Sequence, residues 1–138
     1  MYPNASVPVF QVFLRHGSNL AEHLVLGRSL APLRDEGALI LGSGLSYHNL
    51  RLFGPGAKVP SEAFDAWLAT VMADTTANRT AALLGWETTL FARTCHAQED
   101  HFAPIWAVLG AAEQETATMV YHDTIIFGGV TASSYGLG

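Results

Sequence analysis

The sequence predicts an α/β fold: a βαβ-based mixed sheet flanked by helices. Three stretches carry that expectation. Val7 to Leu14 is β-branched and aromatic, the composition of a mostly buried strand that begins after the Pro3 turn and ends near Arg15. Leu20, His23, Leu24, Leu26, Leu30 and Leu33 then recur at helical spacing, after a turn at His16-Gly17-Ser18 from which Ser18 or Asn19 can cap the helix. Ala38-Leu39-Ile40-Leu41 is an unbroken apolar run bounded by Gly42 and Gly44, the pattern of a strand covered on both faces. Strand, helix and strand follow one another within about 35 residues, so the two strands should be parallel and the crossover right-handed.

The remaining elements follow in order. The first helix runs to about Arg34 and closes at Asp35-Glu36-Gly37. Leu52 to Pro60 holds Gly54, Pro55, Gly56 and Pro60, a loop sequence. Ser61 is placed to cap a helix with Phe64, Trp67, Leu68 and Val71 on one apolar face. A further helix is expected over about Asn78 to Phe91, with Ala81, Leu84, Trp86, Leu90 and Phe91 as core or interface positions; Trp67 and Trp86 read as packing residues. Glu99 and Asp100 suit the opening turn of an apolar helix at Ala103 to Ala112, where Pro104 is tolerated. Thr116 to Tyr121 alternates as a strand, and Ile125 to Phe127 with Gly128-Gly129 is a last edge strand or a turn before a small-residue tail. There is no internal repeat.

Length and composition limit the function classes. At 138 residues the chain is expected to form a single α/β domain over 1–138, globular at 49% hydrophobic and 14% charged residues. A mean hydropathy of +0.22 is high for so small a chain and implies that another subunit, or a missing part of the same fold, covers apolar surface. A net charge of -5 with 7 Lys plus Arg and no basic run argues against a nucleic-acid surface. No apolar segment approaches the roughly 20 residues that span a bilayer, and Met1-Tyr2-Pro3-Asn4 lacks the character of a secretion signal, so a cytoplasmic protein without membrane attachment is expected. Cys95, the one cysteine, excludes an intrachain disulfide and fits a reducing compartment.

Six histidines draw attention to metal chemistry. His48 arrives just past the glycines, at the carboxyl end of the expected buried strand, where open α/β sheets place ligands; the same position also suits a turn cap or a bond to a neighbouring carbonyl. His101 lies at a helix start, which disfavours protonation and leaves the lone pair that a metal requires. A site built from both is conceivable, yet iron or zinc takes at least three protein ligands, so other donors are needed. His16 and His23 read as surface or turn residues, and His122 beside Asp123 as a turn after a strand. His96 and His101 are five apart, on different faces of any helix, and Cys95 beside His96 is poorly placed for a dyad because adjacent side chains rarely face each other.

Four groups of residues carry a family resemblance. They are Tyr2-Pro3-Asn4-Ala5-Ser6-Val7-Pro8-Val9; Leu26-Gly27-Arg28-Ser29-Leu30-Ala31-Pro32-Leu33-Arg34-Asp35-Glu36-Gly37; Gly42-Ser43-Gly44 with His48-Asn49-Leu50-Arg51; and Glu99-Asp100-His101-Phe102-Ala103-Pro104 with Gly110-Ala111-Ala112. In order, and over nearly the whole chain, they resemble the class III extradiol ring-cleaving dioxygenases of the DOPA 4,5-dioxygenase type. The resemblance implies an enzyme that opens a catechol-type small molecule with O2 at a non-haem Fe(II), with Zn(II) in its place in some members. It implies that His48, in a segment similar to the family's SGxxxHNLR, is the acid/base at the metal, and that His101, in a segment similar to PxxEHxxPL, is a metal ligand. Asp100 stands where the family usually has Glu, and Ala97 where it has Pro. The resemblance is to the carboxyl half: family members carry about as much chain again, including an HGSP histidine and a second histidine that complete the metal shell. The missing donors are therefore expected from a separate N-terminal-half chain or from a partner protomer in a homo-oligomer. The alternative is a non-catalytic, truncated oligomeric or binding subunit derived from that family.

Overall fold

The computed structural model describes residues 4, 6–14 and 19–138. Six helices and one hairpin make up its regular structure: α1 (Leu20–Leu30), α2 (Pro32–Asp35), α3 (Lys58–Met72), α4 (Thr76–Leu84), α5 (Ala92–Cys95), α6 (Pro104–Ala111), β1 (Ala117–Ile126) and β2 (Val130–Leu137), with 3-10 turns at Gly54–Ala57 and Trp86–Thr88. Helices and sheet in one unit are what the α/β class requires, and the sheet among the described residues is the antiparallel β1–β2 pair.

Asn19 caps α1, its side chain accepting from the Glu22 N–H at 3.0 Å, as one of the two expected capping residues. The other, Ser18, and the His16-Gly17-Ser18 turn lie outside the described residues. The helix stops at Leu30 because Pro32 has no N–H to donate, and the chain restarts as the short α2 before Gly37 ends it at φ +86°. α1 lies against α6 through Gly27 and Gly110: a Cβ on Gly27 would strike the Ala107 carbonyl, and one on Gly110 the Leu24 carbonyl. That close approach buries Leu24 and Leu109. Arg79, itself buried, donates to the Glu113 and Glu115 carbonyls at 3.0 Å each and ties α4 to the chain between α6 and β1.

The core is aromatic. Phe64 and Leu68 of α3 meet Trp86, Phe102 and Trp106, all almost fully buried. The hairpin packs its β2 face on α3, where Ser61 accepts from the Thr131 N–H at 3.0 Å and Ser133 donates to the Asp65 carboxylate at 2.9 Å.

Several elements differ from the sequence expectation. Val7 to Leu14 and Ala38 to Leu41 enter no ladder, and Ala38–Leu41 is not buried on two faces: Phe10 is 89% exposed and Leu39 78%. A strand exists only with a neighbour to share its hydrogen bonds, and within the described residues these runs have none. α3 begins at Lys58, so Ser61 lies inside the helix and joins it to β2 instead of capping it. The helix expected over Asn78 to Phe91 is three pieces, broken at Gly85 and again where Phe91 takes a left-handed φ of 62°. Leu83 and Trp86 are its buried apolar residues, while Leu84 and Leu90 face outward. Glu99 and Asp100 precede the first turn of α6, which opens at Pro104. The expected strand at Thr116 to Tyr121 extends to Ile126, and the small-residue tail is the second strand.

Candidate metal centre

The segment after Leu41 is steered by glycine. Gly42 lies against Val108 of α6, and a Cβ on Gly44 would overlap the His101 carbonyl, which accepts from the Leu45 N–H at 3.0 Å. Only a residue without a side chain lets the loop cross there. The chain then runs beside the end of α5: the His48 N–H donates to the Cys95 carbonyl at 2.9 Å, and the Asn49 side-chain amide to the Thr94 carbonyl at 2.7 Å.

These crossings bring His48 and His101 together. Their rings stack with centroids 3.5 Å apart and planes inclined by 29°. Asp100 lies 3.9 Å by its Oδ1 from His48 Nδ1 and 3.9 Å by its Oδ2 from His101 Nε2. One ligand atom from each of the three residues falls within 4.8 Å of the other two. Two imidazoles and a carboxylate are the donor set of the 2-His-1-carboxylate class of non-haem iron sites, so the chemistry fits a divalent ion. Ligands bonded at about 2.1 Å to one ion stand roughly 3 to 3.6 Å apart. A bound ion would draw the three inward, and the side chains of Asp100 and His101, 58% and 45% exposed, have room to turn, while His48 is 20% exposed.

The neighbouring charges are committed elsewhere. Arg93 lies between Glu87 at 2.8 Å and Glu99 at 2.7 Å, and its hydrogen bond holds the Glu99 carboxyl below its usual range. Among the described residues, the ionic neighbours of Asp100 are the two imidazoles. Cys95 is fully buried and donates to the Pro60 carbonyl at 3.3 Å; burial pushes its thiol up to about 12, so it is neither thiolate nor nucleophile. His96 is also fully buried, and burial lowers its imidazole to about 4.

Of the other histidines, His16 lies outside the described residues. His23 is not a surface residue: it is buried in α1 with Nδ1 3.2 Å from the Asn19 carbonyl. His122 is not in a turn but inside β1, 2.9 Å from Ser133 Oγ and 3.3 Å from Asp65. Asp100 is the residue that sequence reasoning assigned to a helix dipole and not to the metal group; its place directly before His101 was the available signal.

Comparison with known proteins gives the family. The description "Catalytic LigB subunit of aromatic ring-opening dioxygenase" matches residues 1–138, and the chain belongs to this family of class III extradiol dioxygenases. It is 32% identical to the 4,5-DOPA dioxygenase extradiol of Beta vulgaris over 98% of this chain and 51% of that protein. It is 31% identical to the protein of the same name from Portulaca grandiflora, over 88% and 46%. The crystal structure of the uncharacterized protein JW3007 from Escherichia coli K12 is similar with a TM-score of 0.75 at 25% identity, covering 88% of this chain and 51% of that one. The chain thus spans about half the length of the curated relatives it matches.

Proposed function

We propose that this chain supplies one half of an extradiol dioxygenase centre that opens a catechol with O2 at a non-haem ferrous ion, a site that zinc also fits. The observation that carries the reading is the stacked His48–His101 pair with Asp100 beside it. His101 and Asp100 would hold the ion, with His48 beside it and its acceptor nitrogen free. The remaining donors, and the cover over an open site, would come from an N-terminal-half chain or a second protomer. When bound, the ion would supply Lewis-acid chemistry for a catecholate and O2. His48, the less exposed imidazole, would take the second phenolic proton and return it later in the reaction. The backbone bonds at Leu45 and His48 keep that ring over His101 while protons move.

The test is to co-express the chain with the N-terminal half of a relative such as the Beta vulgaris protein, load Fe(II), and follow O2 uptake on L-DOPA and on a simple catechol. Uptake is expected from the complex and not from this chain alone. His48→Ala should lower it by about a hundredfold or more, the usual order for a lost acid/base. A stable, iron-loaded complex that consumes no O2 on any catechol would overturn the catalytic reading in favour of a non-catalytic subunit.

A further inference from the structure

His96 packs against the two segments that carry the candidate imidazoles without belonging to them. Its ring is fully buried. On one side Nε2 lies 2.9 Å from the carbonyl of Ser46, two residues before His48. On the other, the ring stacks on Phe102, the residue after His101, at 4.7 Å and 20°. Trp86 and Phe64 close the remaining sides, Trp86 edge-on at 5.8 Å and Phe64 tilted at 5.2 Å.

A carbonyl oxygen only accepts, so the proton of this neutral ring is on Nε2, and Nδ1 is left buried with no hydrogen-bond partner among the described residues. Burying an unpaired lone pair is costly, and a Leu or Phe of similar volume would avoid that cost. What such a residue could not do is hold the Ser46 carbonyl. The loop is also held by the buried Tyr47 side chain and by the backbone bonds at Leu45 and His48, and among the described residues the His96 ring is the side-chain donor that reaches the Ser46 carbonyl between them.

We infer that His96 is a positioning residue of the centre: its Nε2–H adds to the hold on the loop bearing His48, its face packs Phe102 and so steadies His101, and one rigid ring thereby couples the two candidate imidazoles. The inference rests on the functional reading above for its purpose, but its geometry stands apart from catalysis. Ring-nitrogen partners that orient ligands typically change metal affinity by about 10- to 100-fold when removed. An effect of that order is expected at His96, although it touches neither the ion nor the substrate.

The test uses the full 138-residue chain with Co2+ as the metal probe. Side-chain nitrogen NMR of the parent should show His96 protonated on Nε2, and ring-to-ring Overhauser effects should link His48 and His101. His96→Phe keeps an aromatic face on Phe102 but removes the donor. It should lose those Overhauser effects and weaken Co2+ binding by about tenfold or more. His96→Gln restores an N–H near the place of Nε2 and should recover most of the affinity. The inference is overturned if the parent carries the proton on Nδ1, a measurement that requires no variant to fold. It is equally overturned if folded His96→Phe matches the parent, or if folded His96→Gln is as impaired as His96→Phe. Should the reconstituted enzyme fail to cleave catechols while the Overhauser effects follow this pattern, the functional reading falls and the positioning role remains.

Discussion

A single buried imidazole gives the sharpest expectation at the residue scale. His96 has a folded-state pKa near 4 against about 6.5 when exposed, with burial as the first cause. Between those values the unfolded chain takes up a proton that the folded chain refuses. The stability that neutral burial preserves is therefore complete above pH 6.5 and is lost as pH falls towards 4, by on the order of 3 kcal/mol. Urea unfolding of the isolated chain between pH 7 and 4 should show that fall, and His96→Gln should flatten it. An unchanged slope in the variant would assign the acid sensitivity elsewhere. Cys95 gives a second residue-level expectation. Its buried, protonated thiol should react with a disulfide reagent only at the rate of unfolding, so labelling that is complete in native buffer would contradict the packing around Pro60.

Elements are held together here by close backbone approaches and by one buried carboxylate. Because the carbonyl of Leu24 stands where a Cβ of residue 110 would be, Gly110→Val must push α1 off α6, at a cost of about 1 to 3 kcal/mol measurable as a lower urea midpoint. Asp65, between α3 and the hairpin, is different in sign. Desolvation raises its pKa against the lowering effect of Ser133 and His122. A raised carboxyl binds more protons folded than unfolded, so its contribution to stability declines as pH rises through the folded value. Asp65→Asn should gain on the parent as pH rises from 4 to 7, and a constant difference across that range would show that Asp65 does not titrate there.

The same scale explains what could be read in advance. α1 and α6 follow directly from apolar spacing, and the cap at Asn19 from residue type. Gly85 marks the break, but the apolar residues on either side keep a helical spacing across it that only the left-handed Phe91 interrupts. β2 carried almost no strand signal: Thr131-Ala132-Ser133-Ser134 is small and polar, and it becomes a strand because β1 and α3 give it partners. Of the centre, His48 and His101 were legible through the resemblance, whereas the buried strand expected before His48 does not form among the described residues. Asp100 and His96 were not, since the first looks like a helix-end charge and the second is revealed only by what surrounds its ring.

For the molecule as a whole, the unpaired runs decide behaviour. Val9, Phe10 and Phe13, with Leu39 and Leu41, are all exposed, an apolar surface that water penalises and that offers unpaired backbone to another chain. The chain alone should sediment as concentration-dependent oligomers and bind a hydrophobic dye. Addition of the N-terminal half should convert it to one defined complex with the dye displaced. A monomer at all concentrations would refute the need for a cover.

The crossing of the Gly44 loop over His101 bears on the order of events in the assembly proposed above. Both imidazoles are registered against each other by bonds internal to this one polypeptide, so their alignment precedes any encounter with the other half. The proposed assembly would then be docking onto a ready template, with a rate indifferent to whether iron is present.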